Sequence, residues 1–257
     1  MISGNKRRFF KIDSVAKLHE NIHKLRSKLV APFNTREELK DYQDLAHELY
    51  NSLFPGIDQE FLTGKTLCII PDHDLQQFPF EVLITSPETP DAYLLNTSEI
   101  NYAYSASFLN LNRLVKRNPP NYFIGFAPVE FNQALDSLPM SDEEITQIAG
   151  MFPGDLFLQY QASKQNFIDN APDYKIIHLA THADVGEDTR PWIAFRDERL
   201  SLEELYATKN QAELVVLSAC NTSQGELRAG EGLMSLARGF FSSGTQSVVA
   251  TLWSADD

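Results

Sequence analysis

The sequence predicts an α/β fold in which a mostly parallel sheet carries helices on both faces, preceded by an N-terminal helical and partly β region. Three observations predict it. Short apolar runs without strict alternation stand at 66–70, 122–127, 175–180, 214–219 and 247–252. Helical segments separate them near 105–117, 141–151, 163–170, 201–207 and 231–242. Before residue 66 the apolar spacing is helical instead. Strands buried on both faces lose the in–out alternation of a one-sided sheet, and interleaved helices supply the crossovers that parallel strands require.

The first helix follows from Val15, Leu18, Ile22, Leu25 and Leu29, which recur at three- and four-residue intervals and form one stripe. Asp13 or Ser14 supplies a cap, and Pro32 ends the helix. A second helix starts from the Asn34/Thr35 cap and runs through Leu39, Tyr42, Leu45, Leu49 and Leu53 to Pro55-Gly56. The Asn118-Pro119-Pro120-Asn121 stretch divides the chain into 1–118 and a cleaner α/β portion, 119–257.

Composition excludes several classes. The chain has 257 residues, 35 acidic against 22 basic, and a net charge of −13. Binding to a phosphate backbone needs a basic face, so direct nucleic-acid binding is not expected. The apolar runs are strand-sized, too short to cross a bilayer, and no apolar segment follows Lys6-Arg7-Arg8, so neither a membrane span nor a secretory signal is expected. Cys68 and Cys220 are the only cysteines and have no metal-ligand spacing. A reduced, cytoplasmic setting suits two unpaired thiols. Cys68, among Leu67, Ile69 and Ile70, is expected in the core.

Two segments carry reactive side chains at the ends of apolar strands. One is Ile176-Ile177-His178-Leu179-Ala180-Thr181-His182-Ala183, the other Leu214-Val215-Val216-Leu217-Ser218-Ala219-Cys220. The carboxyl ends of parallel strands form the crevice where ligands bind. If the two strands are neighbours, His182 and Cys220 meet at one rim. One cysteine and one histidine make a weak pattern by spacing alone, and a structural cysteine beside a rim histidine remains open.

The wider sequence resembles the CHAT family, caspase-like peptidases related to separases. The resemblance covers nearly the whole chain. It runs through Ile70-Pro71-Asp72, Phe78-Pro79-Phe80-Glu81, Tyr93-Leu94 and Tyr104-Ser105, then the histidine and cysteine segments. Gly230-Glu231-Gly232-Leu233 and Thr251-Leu252-Trp253 complete it. It implies a caspase-hemoglobinase fold, a catalytic domain at 119–257 and a degenerate protease-like region at 1–118. It further implies a cysteine endopeptidase with Cys220 as nucleophile and His182, the second histidine of the pair, as base. His178, inside the strand, is expected to pack against a covering helix.

Backbone N–H groups of Ala183 and Cys220 are the expected oxyanion donors, Ala183 standing where the family usually has glycine. No side chain suggests itself as a third member of the dyad. The carboxylates Asp184, Asp256 and Asp257 are candidates for holding a basic substrate side chain, Asp257 by its offset from Trp253 as in separases. Glu226 and Arg228 also lie near that rim. The expected partners are a protein or peptide substrate and a sensor or activator protein. Relatives continue past Asp257 with a further helix and strand, so a fragment, or a separate piece completing the sheet, is expected. The competing reading is a catalytically silent scaffold of the same fold that binds proteins.

No cofactor or metal is expected. His19-Glu20-Asn21-Ile22-His23 matches the zincin HExxH pattern on a helix, but a zincin also needs a third ligand and a supporting sheet, and no strand-rich segment precedes residue 19. Gly230-Glu231-Gly232 lacks the third glycine of a dinucleotide loop and is expected to start a helix.

Overall fold

The computed structural model describes residues 1–3, 6–12, 14–29, 32–57, 59–89, 92–185, 191–219, 227–228, 232–233 and 236–250. They form two compact units, Met1–Ala106 and Ser107–Asp257.

The first unit opens with two short paired strands, β1 (Ile2–Ser3) and β2 (Lys6–Arg7). Helices α1 (Val15–Leu29) and α2 (Arg36–Leu53) follow. The Ser14 hydroxyl accepts from Lys17 N at 3.3 Å, so the serine caps α1, while Asp13 lies outside the described residues. Thr35 and Glu38 form a reciprocal capping box on α2, which satisfies N–H groups that a helix start leaves unpaired. The predicted stripe is buried at Leu18, Ile22 and Leu25, and Asn21 joins it. Val15, in the first turn, stays exposed.

Short helices α3 (Gln59–Leu62) and α4 (Leu94–Thr97) lie before β3 (Thr66–Ile69) and β4 (Glu99–Tyr102), which pair in parallel. The unit's core joins Ile22, Leu25 and Leu49 to Phe78, Phe80, Leu83 and Leu94. Cys68 corrects the expectation of burial, because its side chain is exposed. Burial alternates along β3, with Leu67 and Ile69 half-buried and Thr66 and Cys68 outward. A sheet of two strands has one face on its core, so an unbroken apolar run does not make every residue internal.

The second unit contains α5 (Ala106–Leu114) from Ser107 on, then β5 (Asn121–Ala127), α6 (Ser141–Ala149), β6 (Gly154–Leu158) and α7 (Lys164–Asn170). Next come β7 (Tyr174–Ala180), β8 (Ala183–Val185), β9 (Pro191–Ala194), β10 (Arg199–Ser201) and α8 (Leu202–Ala207). β11 (Leu214–Ser218), two short paired strands β12 (Leu227–Arg228) and β13 (Gly232–Leu233), α9 (Leu236–Ser243) and β14 (Ser247–Ala250) complete it. Gly232 therefore lies in a strand, and the last helix begins later than the sequence predicts, at Leu236. The unit begins ahead of the Pro119-Pro120 stretch. Asn112 Nδ2 donates to Gln246 O at 3.0 Å and Arg117 Nε to Gly244 O at 2.8 Å, which ties that segment to the strand β14 region.

Five strands form one sheet in the order β14-β11-β7-β5-β6, and every neighbouring pair is parallel. One face packs Ile124, Phe126, Ile177, Leu179, Val215 and Leu217 against Phe167, Leu202, Leu205 and Phe240 of α7, α8 and α9. The other packs Ala127 and Ala180 against Ile145 of α6. This is the predicted mixed α/β architecture, and it is consistent with a caspase-like fold. No helix among the described residues is long and apolar enough to cross a membrane.

Candidate active site

From β5 the chain passes through α6 to β6 on one side, then returns to add β7 on the other. The connections leaving β5 and β7 therefore diverge, which opens a crevice beyond their carboxyl ends. His182 stands there. Its backbone is fixed on both sides. Thr181 N donates to Ser218 O at 3.2 Å, and the buried Thr181 hydroxyl donates to Ala194 O at 2.7 Å. His182 O accepts from Ala194 N at 2.8 Å.

The His182 ring is half-buried and held by the connection after β5. Its Nε2 lies 2.8 Å from Asp136 O, and the Phe131 ring sits 4.9 Å away, centroid to centroid. A carbonyl oxygen only accepts, so Nε2 carries the proton. In the neutral imidazole the lone pair then resides on Nδ1. The Asp136 carbonyl is the orienting group for which no side chain gave a signal in the sequence. It is backbone, and its position depends on a loop rather than on residue type.

That loop is pinned to the connection between β9 and β10 of the small antiparallel sheet β10-β9-β8. Asn132 N donates to Arg196 O at 2.9 Å, Gln133 Nε2 to Phe195 O at 3.3 Å, and Leu138 N closes the loop on Val129 O at 2.7 Å. Val129 has φ of 61°. A β-branched residue in the left-handed region is strained, and such strain clusters where the surrounding structure over-determines a site.

Ala183 is buried and faces Ile193 in the β8–β9 register. The bond from Ala194 N to His182 O makes His182 and Ala194 a hydrogen-bonded pair. By antiparallel alternation the Ala183 N–H points away from β9. Among the described residues only His73, Val129 and Gln159 combine a side chain with left-handed φ, so alanine is accommodated at 183 without strain.

β7 and β11 are neighbours, as the rim argument requires. Ala180 pairs with Ser218, and His182 and Cys220 each follow their strand's paired residue by two positions. Cys220, Glu226, Asp256 and Asp257 lie outside the described residues, as do Gly230, Glu231 and 251–253. Asp184 is described as backbone within β8 only.

His178 is buried in the central strand, and its Nε2 lies 2.7 Å from Glu144 Oε1 on α6. The other carboxylate oxygen accepts from Ser218 Oγ at 3.3 Å. The bond from His178 holds the Glu144 carboxyl below its ordinary range, against the opposing effect of burial. α6 reaches this face because Gly125, opposite His178 in the register, leaves room. A Cβ there would meet Ile145 Cγ2 at 2.4 Å.

In the first unit, His19 Nδ1 and His23 Nε2 both face Asp74 Oδ2, at 3.0 and 3.4 Å. The carboxylate oxygen itself sits between the two imidazoles. Among the described residues no group of three or more His, Cys, Asp or Glu side chains is arranged to hold a metal ion.

No curated protein matches the chain. The family model of the CHAT domain matches residues 43–257, from within α2 through the whole of the second unit. The chain therefore belongs to the CHAT domain family, a group related to the caspase-like cysteine peptidases.

Proposed function

We propose that the chain is a cysteine endopeptidase in which Cys220 is the nucleophile and His182 the general base. The observation that carries this reading is the parallel register of Ala180 with Ser218, combined with an imidazole whose Nε2 is committed to the Asp136 carbonyl. The Cys220 thiol gives its proton to His182 Nδ1, and the thiolate adds to the scissile carbonyl carbon. A thiol with an ordinary pKa near ~8.5 is only slightly ionised at neutral pH, so a neighbouring base is what makes it a competent nucleophile. The imidazolium then protonates the leaving amine as the C–N bond breaks, and water hydrolyses the thioester. The Ala183 N–H, aimed away from β9, and the Cys220 N–H stabilise the tetrahedral oxyanion. One such donor contributes roughly 3–4 kcal/mol.

The substrate is a protein or peptide, and a sensor or activator protein governs access in a cytoplasmic setting. The carboxylates Asp184, Asp256 and Asp257 favour a basic residue at the cleaved position, since a buried charge needs an opposite charge. A matched fluorogenic series with Arg, Lys, Leu, Met and Asp at that position tests both levels. Cleavage by wild type and none by Cys220→Ala supports the peptidase. An apolar preference unchanged in Asp184→Ala, Asp256→Ala and Asp257→Ala removes the carboxylates from specificity. A wild type that cleaves nothing in a peptide library, with or without candidate activators, favours the silent scaffold.

A further inference from the structure

We propose that Glu144 is a positioning residue for the dyad, its carboxylate tying β7 to β11 through His178 and Ser218. The inference rests on the dyad reading above. His178 and Ser218 lie on one face of adjacent strands, His178 opposite Val216 and Ser218 opposite Ala180. Glu144 reaches both from α6, one oxygen to each, at 2.7 and 3.3 Å. Satisfying a buried histidine requires one acceptor. The second oxygen goes instead to Ser218, an exposed residue whose hydroxyl water would serve equally well. That bond adds no burial satisfaction; it fixes where the end of β11 lies relative to β7. The two tied residues stand just ahead of the candidate dyad, His178 four positions before His182 and Ser218 two before Cys220.

The bond from His178 favours the ionised form of Glu144, which accepts one donor at each oxygen. Gly125 admits the helix that carries it. Among the described residues the carboxylate bonds His178 and Ser218. It acts through the spacing of two strand ends, and an error of an ångström in the placement of reacting groups costs about a hundredfold in rate.

The test uses the full chain in a Cys68→Ser background, so that Cys220 is the only thiol. Glu144→Ala, Glu144→Gln and Ser218→Ala are compared with that parent for kcat and KM on a cleaved peptide. The rate of Cys220 alkylation by iodoacetamide is followed against pH, and Tm is measured alongside. Glu144→Ala is expected to lower kcat by about ten- to a hundredfold at little-changed KM and to move the alkylation profile toward that of a free thiol. Glu144→Gln, which keeps an accepting oxygen, recovers part of the loss. Ser218→Ala gives a smaller change in the same direction while keeping its Tm. If Ser218→Ala and Glu144→Gln retain the parent's kcat and alkylation profile, Glu144 is only a partner for a buried histidine and the proposal is wrong. A parent that cleaves no peptide and whose Cys220 alkylates as an ordinary thiol sinks the dyad itself and this proposal with it, a result distinct from loss of positioning alone.

Discussion

Each of the molecule's two cysteines lies in or just after a parallel strand, and the two regions differ in what the neighbouring strand carries. Cys68 sits within β3, side chain outward, opposite Asn101 of β4. Cys220 follows β11, whose neighbour β7 carries His178 and leads into His182. A parallel pair brings two carboxyl ends to one rim, but reactivity needs a base on the adjacent strand at the same offset. In the first region the residue opposite the thiol is Asn101, whose amide is not a base. In the second, the strand beside β11 leads into His182, whose imidazole is anchored by Asp136 O.

The largest effect should fall on the second region. Cys220→Ala and His182→Ala are each expected to reduce peptide hydrolysis by roughly a thousandfold or more, and the double variant little further, because the groups act as a unit. Initial rates of the three variants, with circular dichroism as a control for folding, check this. Near-normal turnover in either single variant would erase the distinction between the two thiols.

Gly125→Ala sharpens the comparison structurally. Its Cβ would press on Ile145 and force α6 away from the sheet. A loss of about 1–3 kcal/mol in urea unfolding is expected, as for other overpacked cores. An unchanged midpoint would mean that α6 does not seat closely on this face.

A smaller, pH-dependent effect belongs to Glu144. Its carboxyl is held below the ordinary value in the folded state, so the stability it contributes is complete above about pH 4.3, the usual carboxylate value, and is lost as pH falls through the lowered folded value. Glu144→Gln should therefore show a shallower loss of stability on acidification than wild type. Identical acid limbs in thermal melts at several pH values would contradict the assignment. The smallest effect is expected from Cys68→Ser, which should change neither Tm nor turnover measurably, since the thiol is exposed. A clear drop in either would give the first region a role it lacks in this account.

Much of this was legible in the residues. The unalternated runs at 122–127, 175–180 and 214–219 predicted buried parallel strands, and β5, β7 and β11 are the three central ones. The caps at Ser14 and Thr35 were legible because a hydroxyl before an apolar stripe has a specific use. β6, β8, β9 and β10 were not. β6 is a short edge strand beginning at Gly154, and the other three are short and paired antiparallel outside the main sheet. Cys68 misled because its apolar neighbours resemble those of a central strand, whereas β3 has a single partner and one outward face.

At the candidate site, sequence gave His182 its rim position and His178 its buried one. It gave no sign of Asp136, whose contribution is a backbone carbonyl. Nor did it single out Glu144 among the acidic residues opening α6, which favour a helix start on electrostatic grounds alone.

The most direct test of the central claim uses the two thiols as each other's control. Wild type is treated with iodoacetamide at mildly acidic pH, and alkylation of the Cys68 and Cys220 peptides is followed separately by mass spectrometry. Thiolate is the reacting species, so the rate ratio reports which thiol has a base beside it. The account predicts that Cys220 reacts well ahead of Cys68, and that His182→Ala removes the advantage while leaving Cys68 unchanged. Equal rates with the same pH dependence, or a Cys220 advantage that survives His182→Ala, would contradict it.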